Sequence, residues 1–446
     1  MKIGFYTLGC KLNQTETEAI IDAFVSSGYE AVSIREEADL YIINTCTVTS
    51  KSEQKARRVI RHLLETHPSA SVVVTGCYAQ LDPDQLRHLG DRVLVVPGSA
   101  KDTLLDLPIR IGGIENPLWE KSDSDLFGTL PLDSTRPFRF FAPRYTFHAR
   151  AFLKIQDGCD HRCSYCRVRL ARGPSISLPL EQVKERFLDL ASRGYKEIVL
   201  TGVNISQYHS EGRNLGDLLL VLLELPTDLR IRLSSLEPEG ITPSFLKALQ
   251  EQRVCPHFHL SVQSGSEFIL RRMKRPYTLK TIQSVLEILR KGKEDPYLAA
   301  DFIVGFPGEM EEHYKETLRF IESNEFTDLH LFPFSPRPGT EAFELKPRVP
   351  ERVVHERLEV LSGLANTFFQ SYLQRQIGQH REVLLETRSK EGVWEGTSEN
   401  YLTVQIPTFS EHSPPLDSAP LTLTKGNRVT CKILQIREKK LIGIIV

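Results

Sequence analysis

The chain has 446 residues, of which 40% are hydrophobic and 25% are charged, and its formal net charge is −1 at pH 7. This composition excludes a disordered chain, and at about 150 residues per domain the length predicts about three domains. The small net charge excludes a strong overall field toward nucleic acid, so any RNA contact must come from local basic patches.

The first part of the chain predicts a parallel α/β domain, which we place at residues 1–125. Short β-rich runs alternate there with helical patterns, and such alternation is typical of a parallel sheet. The predicted strands are Ile3–Leu8, Leu40–Asn44, Val72–Thr75 and Val93–Val96. Residues Ile111–Arg150, with Gly112, Gly113 and several prolines, indicate a connecting segment.

A second series of strands and amphipathic helices predicts a central domain at residues 145–375. The predicted strands are Phe152–Gln156, Glu197–Thr201, Ile231–Ser234, His257–Val262, Leu298–Val304 and Leu329–Pro333. Six β/α units in succession favour a partial (β/α)6 barrel over an open sheet.

The last part of the chain predicts a small β-barrel module at residues 376–446. Helical periodicity stops near Gly378, and a Pro/Ser-rich turn is predicted at Ser413–Pro420. The predicted strands are Val383–Glu386, Tyr401–Ile406, Arg428–Gln435 and Leu441–Val446.

Neither a membrane span nor a signal peptide is expected. The apolar stretch Leu218–Leu223 is far shorter than the ~18 residues that a spanning helix needs. The first residues lead into a predicted strand without the regions of a signal peptide. We therefore expect a cytoplasmic protein, whose eight cysteines stay reduced and available to metals or catalysis.

Three cysteines lie close together directly after the first predicted barrel strand. Cys159, Cys163 and Cys166 occupy the segment Gly-Cys-Asp-His-Arg-Cys-Ser-Tyr-Cys. Three thiolates on a four-iron cube leave one iron open, as a catalytic metal site requires. The alternative is structural zinc, with His161 completing a Cys₃His site. The spacing, with Tyr165 before the last cysteine, resembles the signature of the radical S-adenosylmethionine (SAM) superfamily.

Small and polar residues follow the later barrel strands, where a ligand is expected to bind. Glycines there allow close approach of the backbone to a nucleoside, and polar side chains could hydrogen-bond SAM. The candidate cofactor-binding residues are Tyr165, Asn204, Glu237, Gln263, Gly305 and Pro307.

A second set of cysteines is spread over the N-terminal domain. Cys10, Cys46 and Cys77 each follow a predicted strand and are 36 and 31 residues apart, about the length of a βαβ unit. In a parallel sheet they should emerge at the same edge, which predicts a second three-cysteine cluster site with one open iron. Cys255 and Cys431 lack such partners and are expected to be inert thiols.

The three predicted domains together resemble the methylthiotransferase family over nearly the whole chain. The C-terminal module looks like the family's TRAM domain, an RNA-binding β-barrel with an OB-like shape. The segment Thr7-Leu8-Gly9-Cys10-Lys11-Leu12-Asn13-Gln14 looks most like the branch that modifies threonylcarbamoyladenosine in tRNA. Arg167-Val168-Arg169-Leu170 departs from the more apolar segment expected after the cysteine motif.

The resemblance implies two 4Fe-4S clusters and a division of labour between them. The cluster on Cys159, Cys163 and Cys166 would bind and reduce SAM, and the resulting 5′-deoxyadenosyl radical would abstract hydrogen from the substrate. The cluster on the N-terminal cysteines would hold a sulfur, methylated by another SAM, until it joins carbon 2 of the purine. The resemblance also implies a flavodoxin- or ferredoxin-type electron donor, and we expect a monomer.

The expected partner is the anticodon loop of tRNA, held by local positive charge. Candidate RNA-binding residues beside the barrel cysteines and on the β-module are Arg167, Arg169, Arg172, Lys432, Lys439 and Lys440. The alternatives are methylthiolation of isopentenyladenosine in tRNA, methylthiolation of a ribosomal-protein aspartate, and a non-enzymatic, metal-containing RNA-binding protein.

Overall fold

A computed structural model describes residues 1–112, 136–407 and 423–446. Gly113, the predicted domain boundary at residue 125 and the predicted turn at Ser413–Pro420 lie outside the described residues. None of the described helices is both long enough and apolar enough to cross a membrane.

The N-terminal domain contains a five-stranded, fully parallel sheet. Its strands, in spatial order, are Glu30–Ser33, Lys2–Thr7, Leu40–Thr45, Ser71–Gly76 and Val93–Val95. The two central strands are buried throughout, as expected for a parallel sheet covered on both faces. The α-helices of this domain are Lys11–Ser26, Ser50–Thr66, Cys77–Leu81, Pro83–Arg87 and Leu107–Ile111.

The four predicted strands of this sheet are confirmed to within one residue at each end. The edge strand Glu30–Ser33 is absent from the prediction. It has four residues, of which only Val32 is buried, so the sequence carries no apolar run that would reveal it.

The central domain is an open barrel of six parallel strands, which confirms the predicted architecture. Its strands are Ala151–Lys154, Glu197–Thr201, Arg230–Leu233, His257–Gln263, Tyr297–Val304 and Asp328–Pro333. The first three strands and the last three form two hydrogen-bonded groups. Two isolated parallel bridges, Ile231 to Val254 and Leu236 to Leu260, connect the groups.

Helices cover the outside of this barrel, and the last one leads toward the C-terminal module. The α-helices of eight or more residues are Leu180–Ser192, Leu215–Glu224, Leu279–Gly292, Glu311–Asn324 and Glu351–Arg375. The shorter ones are Val168–Arg172, Pro243–Leu249, Glu267–Arg272 and Glu341–Glu344.

The C-terminal module is a closed five-stranded barrel, as predicted. Its strands are His380–Arg388, Trp394–Ser398, Thr403–Ile406, Arg428–Arg437 and Lys440–Ile445. The strand Trp394–Ser398 is missing from the prediction. Tyr401, predicted to begin a strand, instead has a φ of 69°, which places it in a turn.

Two buried arginines of the central barrel attach this module. Arg230 donates to the Glu382 carbonyl at 2.8 Å, and Arg232 donates to the Glu399 carbonyl at 3.0 Å. Both guanidinium groups also pair with buried Glu197, at 2.6 Å each. Burial alone would raise the pKa of Glu197, but the two arginines hold it below its usual value.

Candidate functional site

The N-terminal sheet brings three distant cysteines to one edge. Parallel pairing places Thr7 beside Asn44 and Thr45 beside Gly76, so the carboxyl ends of three strands are aligned. Cys10, Cys46 and Cys77 follow these ends within three residues. The sheet register therefore builds this triplet, as the sequence predicts.

Glycines before two of these cysteines allow the tight fit. Gly9 and Gly76 both have a φ of +100°, which favours glycine. A Cβ on Gly9 would lie 2.7 Å from the Cys46 Cβ, and one on Gly76 would lie 2.3 Å from the Thr45 carbonyl oxygen. Side chains at either position would push the strand ends apart.

A short loop, held at several points, carries the barrel triplet. The Cys159 amide donates to the Gly173 carbonyl at 3.2 Å, and the Cys166 amide donates to the Cys163 carbonyl at 3.2 Å. The Ser164 amide donates to the Met273 carbonyl at 3.0 Å. These bonds place the loop at the carboxyl end of the strand Ala151–Lys154, on the rim where barrel chemistry occurs.

The spacing of the thiols is wider than a single zinc ion requires. Sulfur ligands of one tetrahedral zinc lie about 3.8 Å apart, given Zn–S bonds of about 2.3 Å. Within the described ranges, the groups of three potential ligand atoms that all lie within 4.8 Å of one another are His259/Asp301/His330 and His161/Glu237/Glu239. Neither cysteine triplet is this compact, which fits ligands bound to different irons of a cluster.

His161 has a partner other than a zinc site. Its Nε2 lies 2.7 Å from Glu239 Oε1. The neighbouring Cys163 and Glu239 raise the pKa of His161 to about 10, while the buried Nδ1 has no hydrogen-bond partner among the described residues. This arrangement argues against the Cys₃His alternative.

Metal binding must displace protons from these thiols. Burial raises the pKa values of Cys46 and Cys166 to about 12, so both are protonated at neutral pH in the absence of a metal. A thiolate needs a cation beside it in such surroundings, and cluster irons would supply it. Cys255 and Cys431 are buried in the core, as expected for inert thiols.

A cavity of about 260 Å³ lies between the barrel cysteines and the N-terminal domain. Its lining includes all three barrel cysteines and, from the N-terminal domain, Val48 and Thr49. The Val48 amide donates to the Cys46 Sγ at 3.5 Å, so this wall continues directly into the N-terminal triplet. The cavity therefore contains the barrel cysteines and borders the segment that follows Cys46, whereas Cys77 lines a different cavity.

Four predicted cofactor-binding residues line this cavity, namely Tyr165, Asn204, Glu237 and Gln263. Asn204 Nδ2 lies 3.9 Å from Cys159 Sγ, while its buried Oδ1 has no partner among the described residues. The Ser234 hydroxyl is similarly buried and unpartnered. Unsatisfied polar atoms of this kind fit a polar ligand such as SAM.

The structure places Gly305 and Pro307 elsewhere. Neither lines the cavity; a Cβ on Gly305 would lie 2.4 Å from Val354 Cγ2 on the long helix. The Pro307 carbonyl accepts a hydrogen bond from Arg272 at 3.0 Å. Both residues pack the loop after the strand Tyr297–Val304, and direct cofactor contact by Gly305 and Pro307 stays a prediction.

Sequence reasoning missed two charged residues of the cavity, Arg275 and Asp301. Arg275 pairs with Glu237, and its Nη1 lies 2.9 Å from Cys163 Sγ. Asp301 accepts from His259 Nε2 at 2.8 Å. Arg275 stands in a basic run that resembles an ordinary solvated surface, so no sequence signal distinguished it.

Comparison with known proteins identifies the family. A family model described as the Radical SAM superfamily matches residues 153–321, and one described as Uncharacterized protein family UPF0004 matches residues 2–98. The chain is 40% identical over 453 residues to a Treponema pallidum protein named threonylcarbamoyladenosine tRNA methylthiotransferase MtaB, covering 90% of this chain and 93% of that protein. The chain belongs to the radical SAM methylthiotransferase family.

Another relative of this methylthiotransferase carries a different substrate in its name. A Bartonella henselae protein named tRNA-2-methylthio-N(6)-dimethylallyladenosine synthase is 33% identical over 422 residues, covering 91% of each chain. Among solved structures, the radical SAM methyltransferase TsrM from Kitasatospora setae, with cobalamin and a 4Fe-4S cluster bound, has a TM-score of 0.52 at 14% identity over 76% of each chain. TsrM thus shares the fold, while membership of the radical SAM methylthiotransferase family shows that the chain is an enzyme that uses SAM and an iron–sulfur cluster, so the non-enzymatic alternative is wrong.

A buried ion-pair network joins the two cysteine-bearing domains of the methylthiotransferase. Glu16, six residues after Cys10, accepts from Lys101 at 2.6 Å, Lys154 at 2.9 Å and Arg172 at 2.9 Å. Burial alone would raise the pKa of Glu16, but Arg172, Lys101 and Lys154 hold it well below its usual value. The network lines a second cavity of about 340 Å³ beside Cys77.

Two of the three arginines predicted to bind RNA are committed to such internal ion pairs. Arg172 also lies 3.1 Å from Asp157, and Arg167 lies 3.0 Å from Asp82. Both side chains are at most 10% exposed. Because phosphate contact would break buried ion pairs, the structure argues against direct RNA binding by these two residues.

The other predicted RNA-binding residues remain accessible. Arg169 lines the 260 Å³ cavity and is 35% exposed. On the C-terminal barrel, Lys432 and Lys439 are exposed, whereas Lys440 pairs with Glu395 at 2.6 Å. Phosphate binding by Arg169, Lys432 and Lys439 stays a prediction that the geometry permits.

Proposed function

We propose that this methylthiotransferase modifies carbon 2 of N6-threonylcarbamoyladenosine next to the anticodon of tRNA, with SAM as both radical source and methyl donor. The observation that carries the proposal is the 260 Å³ cavity where the barrel cysteines meet the N-terminal domain. Its walls contain the barrel triplet on one side and the residues just after Cys46 on the other. A purine placed there would lie beside the barrel cysteines and against the segment that follows Cys46.

Two clusters, on Cys159/Cys163/Cys166 and on Cys10/Cys46/Cys77, would supply the electron that cleaves SAM and the bound sulfur that is transferred. The chain's own residues position the reactants. Asn204 and Glu237 face the cavity beside the barrel cysteines, and Arg275 fixes Glu237 by an ion pair. Val48, Phe332 and Phe334 give the cavity an apolar wall that a bound substrate would cover, which would shield a radical from water.

The charge of the cavity supports threonylcarbamoyladenosine over an isopentenylated base. The threonyl group carries a carboxylate, and Arg169 lines the cavity with only a weak ion pair to Asp160 at 3.5 Å. An isopentenyl group would give this cation no anionic partner beyond Asp160. The sequence similarity of 40% to a relative named for the threonylcarbamoyl substrate agrees with this assignment.

The proposal includes the finer features of the enzyme. The C-terminal barrel, residues 376–446, would be the TRAM domain that binds the anticodon arm. A flavodoxin- or ferredoxin-type carrier would supply electrons, and the enzyme would act as a cytoplasmic monomer. The domain boundaries proposed are 1–125, 145–375 and 376–446.

An anaerobic assay tests the reaction and the substrate together. The reconstituted enzyme, SAM and a reductant would be incubated with tRNA carrying threonylcarbamoyladenosine, followed by mass spectrometry of the nucleosides. We expect a methylthio group on that nucleoside, with none formed by the Cys46→Ser variant.

Two parallel reactions make the assay discriminating. One contains tRNA carrying isopentenyladenosine, which the relative named for the dimethylallyl nucleoside makes the second candidate, and the other contains ribosomal proteins. Product only in one of these reactions would overturn the substrate assignment while retaining the family's chemistry.

A further inference from the structure

One wall of the 260 Å³ cavity carries a compact group of polar side chains that the proposed function does not use. The group, here called the strand triad, consists of His259, Asp301 and His330 on three neighbouring strands of the central barrel, with Asp301 opposite His330 in the strand register. Each residue offers one potential ligand atom, and the three atoms all lie within 4.8 Å of one another. Because Asp301 also lines the cavity, the triad borders the space proposed for substrate and SAM.

The interatomic distances in the strand triad fit three ligands of one metal ion. Nitrogen and oxygen ligands bound at about 2.1 Å lie roughly 3.0–3.4 Å apart in octahedral or tetrahedral geometry. His259 Nε2 lies 2.8 Å and His330 Nδ1 lies 3.3 Å from Asp301 Oδ1. Small movements of these side chains would therefore bring all three atoms around a single ion.

The second nitrogen of each imidazole ring already has a partner. Ser235 Oγ lies 2.8 Å from His259 Nδ1, and Asp328 Oδ2 lies 3.5 Å from His330 Nε2. Asp328 is itself held by the Tyr297 hydroxyl, which donates to it at 3.1 Å. Histidines that bind metals usually form such a bond through the other ring nitrogen, because it fixes the tautomer and the orientation of the ring. The contacts therefore present His259 Nε2 and His330 Nδ1 to an ion.

The carboxylates beside these histidines are available to a cation. Within the described residues, Asp301 and Asp328 form ion pairs with the two histidines and with no lysine or arginine. Lys439 lines an outer cavity together with Asp328, although these two described side chains form no ion pair. Hydrogen bonds to Asp301 and Asp328 raise the pKa of His330 to about 10, so the two carboxylates hold a proton on this ring at neutral pH. A divalent cation would neutralise the same carboxylates and release that proton.

A second group of similar compactness fits a metal ion less well. His161, Glu237 and Glu239 also place three potential ligand atoms within 4.8 Å of one another. Arg275, however, pairs with Glu237, so a permanent positive charge already neutralises that carboxylate. His161 also belongs to the loop that carries the barrel cysteines, whereas the strand triad lies on strands, which hold ligands more precisely. The observations therefore favour the strand triad.

We propose that the strand triad, His259, Asp301 and His330, binds one divalent metal ion of the first transition series, such as Mn²⁺, Fe²⁺ or Zn²⁺. Two imidazoles and one carboxylate are a common ligand set for these ions and leave coordination positions open. His330 is 44% exposed, which gives an ion access from outside, and Asp301 lines the cavity, where the open positions would accept oxygen atoms of a ligand. This inference goes beyond the proposed function, because it requires neither the tRNA nucleoside nor the two cysteine clusters.

Electron paramagnetic resonance with Mn²⁺ as the probe tests the site in the full chain with both clusters reconstituted. Oxidised 4Fe-4S clusters give no signal, so the spectrum of unbound Mn²⁺ measures binding, and pulsed spectra detect the nitrogen nuclei of histidine ligands. Asp301→Asn keeps the shape of the side chain but removes its charge, and His330→Gln removes a partly exposed ligand. His355→Gln is the matched control, because His355 is exposed on the helix Glu351–Arg375. Iron content and circular dichroism check that each variant is folded.

We expect one Mn²⁺ per chain, with nitrogen coupling, in the wild type and in His355→Gln. Asp301→Asn and His330→Gln should each weaken binding by at least about tenfold, since losing only an outer partner of a ligand costs roughly 10–100-fold. Wild-type protein without nitrogen-coupled Mn²⁺, or equal affinity in wild type and Asp301→Asn, would overturn the proposal. Binding that Glu239→Gln abolishes while the two triad variants retain it would also overturn it. Since no tRNA is present, a wrong tRNA substrate would not affect the outcome.

Discussion

The two cysteine sites are built in opposite ways. The barrel triplet occupies one loop, from Cys159 to Cys166, whose own backbone bonds hold it in place. The N-terminal triplet is spread over separations of 36 and 31 residues and meets only because three parallel strands end together. The first site therefore depends mainly on local structure, whereas the second depends on sheet register and domain packing.

Substituting one cysteine of each triplet should show which reaction step each site performs. Of the substitutions considered, these should reduce activity most. Cys163→Ser should abolish both SAM cleavage and methylthiolation, since it removes a ligand of the cluster that reduces SAM. Cys46→Ser should abolish methylthiolation but leave reductive SAM cleavage. Chromatography of 5′-deoxyadenosine and of the nucleoside product measures both.

Iron analysis checks the same pair of variants. Each should retain about four of roughly eight irons. If Cys46→Ser retained full iron and full methylthiolation, the N-terminal triplet would not be a functional site.

Removing the central carboxylate of the buried ion-pair network, which joins the two cysteine-bearing domains, should strongly destabilise the enzyme. Glu16→Gln removes the carboxylate shared by Lys101, Lys154 and Arg172, and loss of one partner from a buried ion pair costs about 3–5 kcal/mol. The urea midpoint of the cluster-free chain should fall accordingly. An unchanged midpoint would show that the network contributes no net stability.

The stabilisation that Glu16 provides should decrease as the pH falls. The pKa of Glu16 is lower in the folded chain than its unfolded value of about 4.3. Its stabilising effect is therefore complete above about pH 4.3 and declines as the pH falls toward the folded value. The difference in midpoint between wild type and Glu16→Gln should shrink from pH 7 to pH 3.5.

A substitution that disturbs strand ends should affect only the site that depends on them. Gly76→Ala places a methyl group 2.3 Å from the Thr45 carbonyl oxygen at a φ of +100°, and we expect a loss of about 2–3 kcal/mol and of the N-terminal iron. Gly28→Ala is the control, because Gly28 also has a positive φ, of +87°, but no atom within 4 Å. Similar iron contents in the two variants would contradict a register-built site.

Removing the charge of Arg169, which lines the 260 Å³ cavity, should have a smaller effect on activity. Arg169→Gln should lower kcat/KM for tRNA carrying threonylcarbamoyladenosine by roughly 10–100-fold, the value of a charged hydrogen bond of about 1.5–3 kcal/mol. Arg169→Lys should recover part of the loss. Equal losses on tRNA carrying isopentenyladenosine would show that the residue does not recognise the carboxylate.

The smallest expected effect concerns the C-terminal barrel, away from both sites. Lys432→Ala and Lys439→Ala together should weaken tRNA binding and reduce the slope of log affinity against log salt concentration by about 1–2. SAM cleavage without tRNA should be unchanged. An unaltered salt slope would remove these lysines from the RNA interface.

Sequence reasoning located the strongest features of the molecule. Strands rich in β-branched residues, such as Ser71–Gly76, and the cysteines that follow them were predicted because burial on both faces leaves a continuous apolar run. Short strands with mixed composition, such as Glu30–Ser33 and Trp394–Ser398, were missed because pairing rather than hydrophobicity defines them. The left-handed turn at Tyr401 was also invisible, since a tyrosine seldom adopts that conformation.

Charged residues show the same limit. Arg169 and Arg172 stand three positions apart, yet one lines the cavity and the other is buried against Glu16 from another domain. Arg275 likewise belongs to a basic run but pairs with Glu237 beside Cys163. A charge pattern shows which charged groups exist, but their partners lie in distant segments, 156 residues away for Arg172 and 38 residues away for Arg275.

The sequence by itself determined the fold class, the six cysteines that form two triplets, and the family that this combination resembles. These follow from local spacing and hydrophobic periodicity, which one stretch of chain contains. Only the tertiary structure decided that the cavity at the barrel cysteines borders the N-terminal domain, and which of the neighbouring arginines line it and which are buried in ion pairs. Those features arise where separate domains pack, and packing is a property of distances in space rather than of positions along the chain.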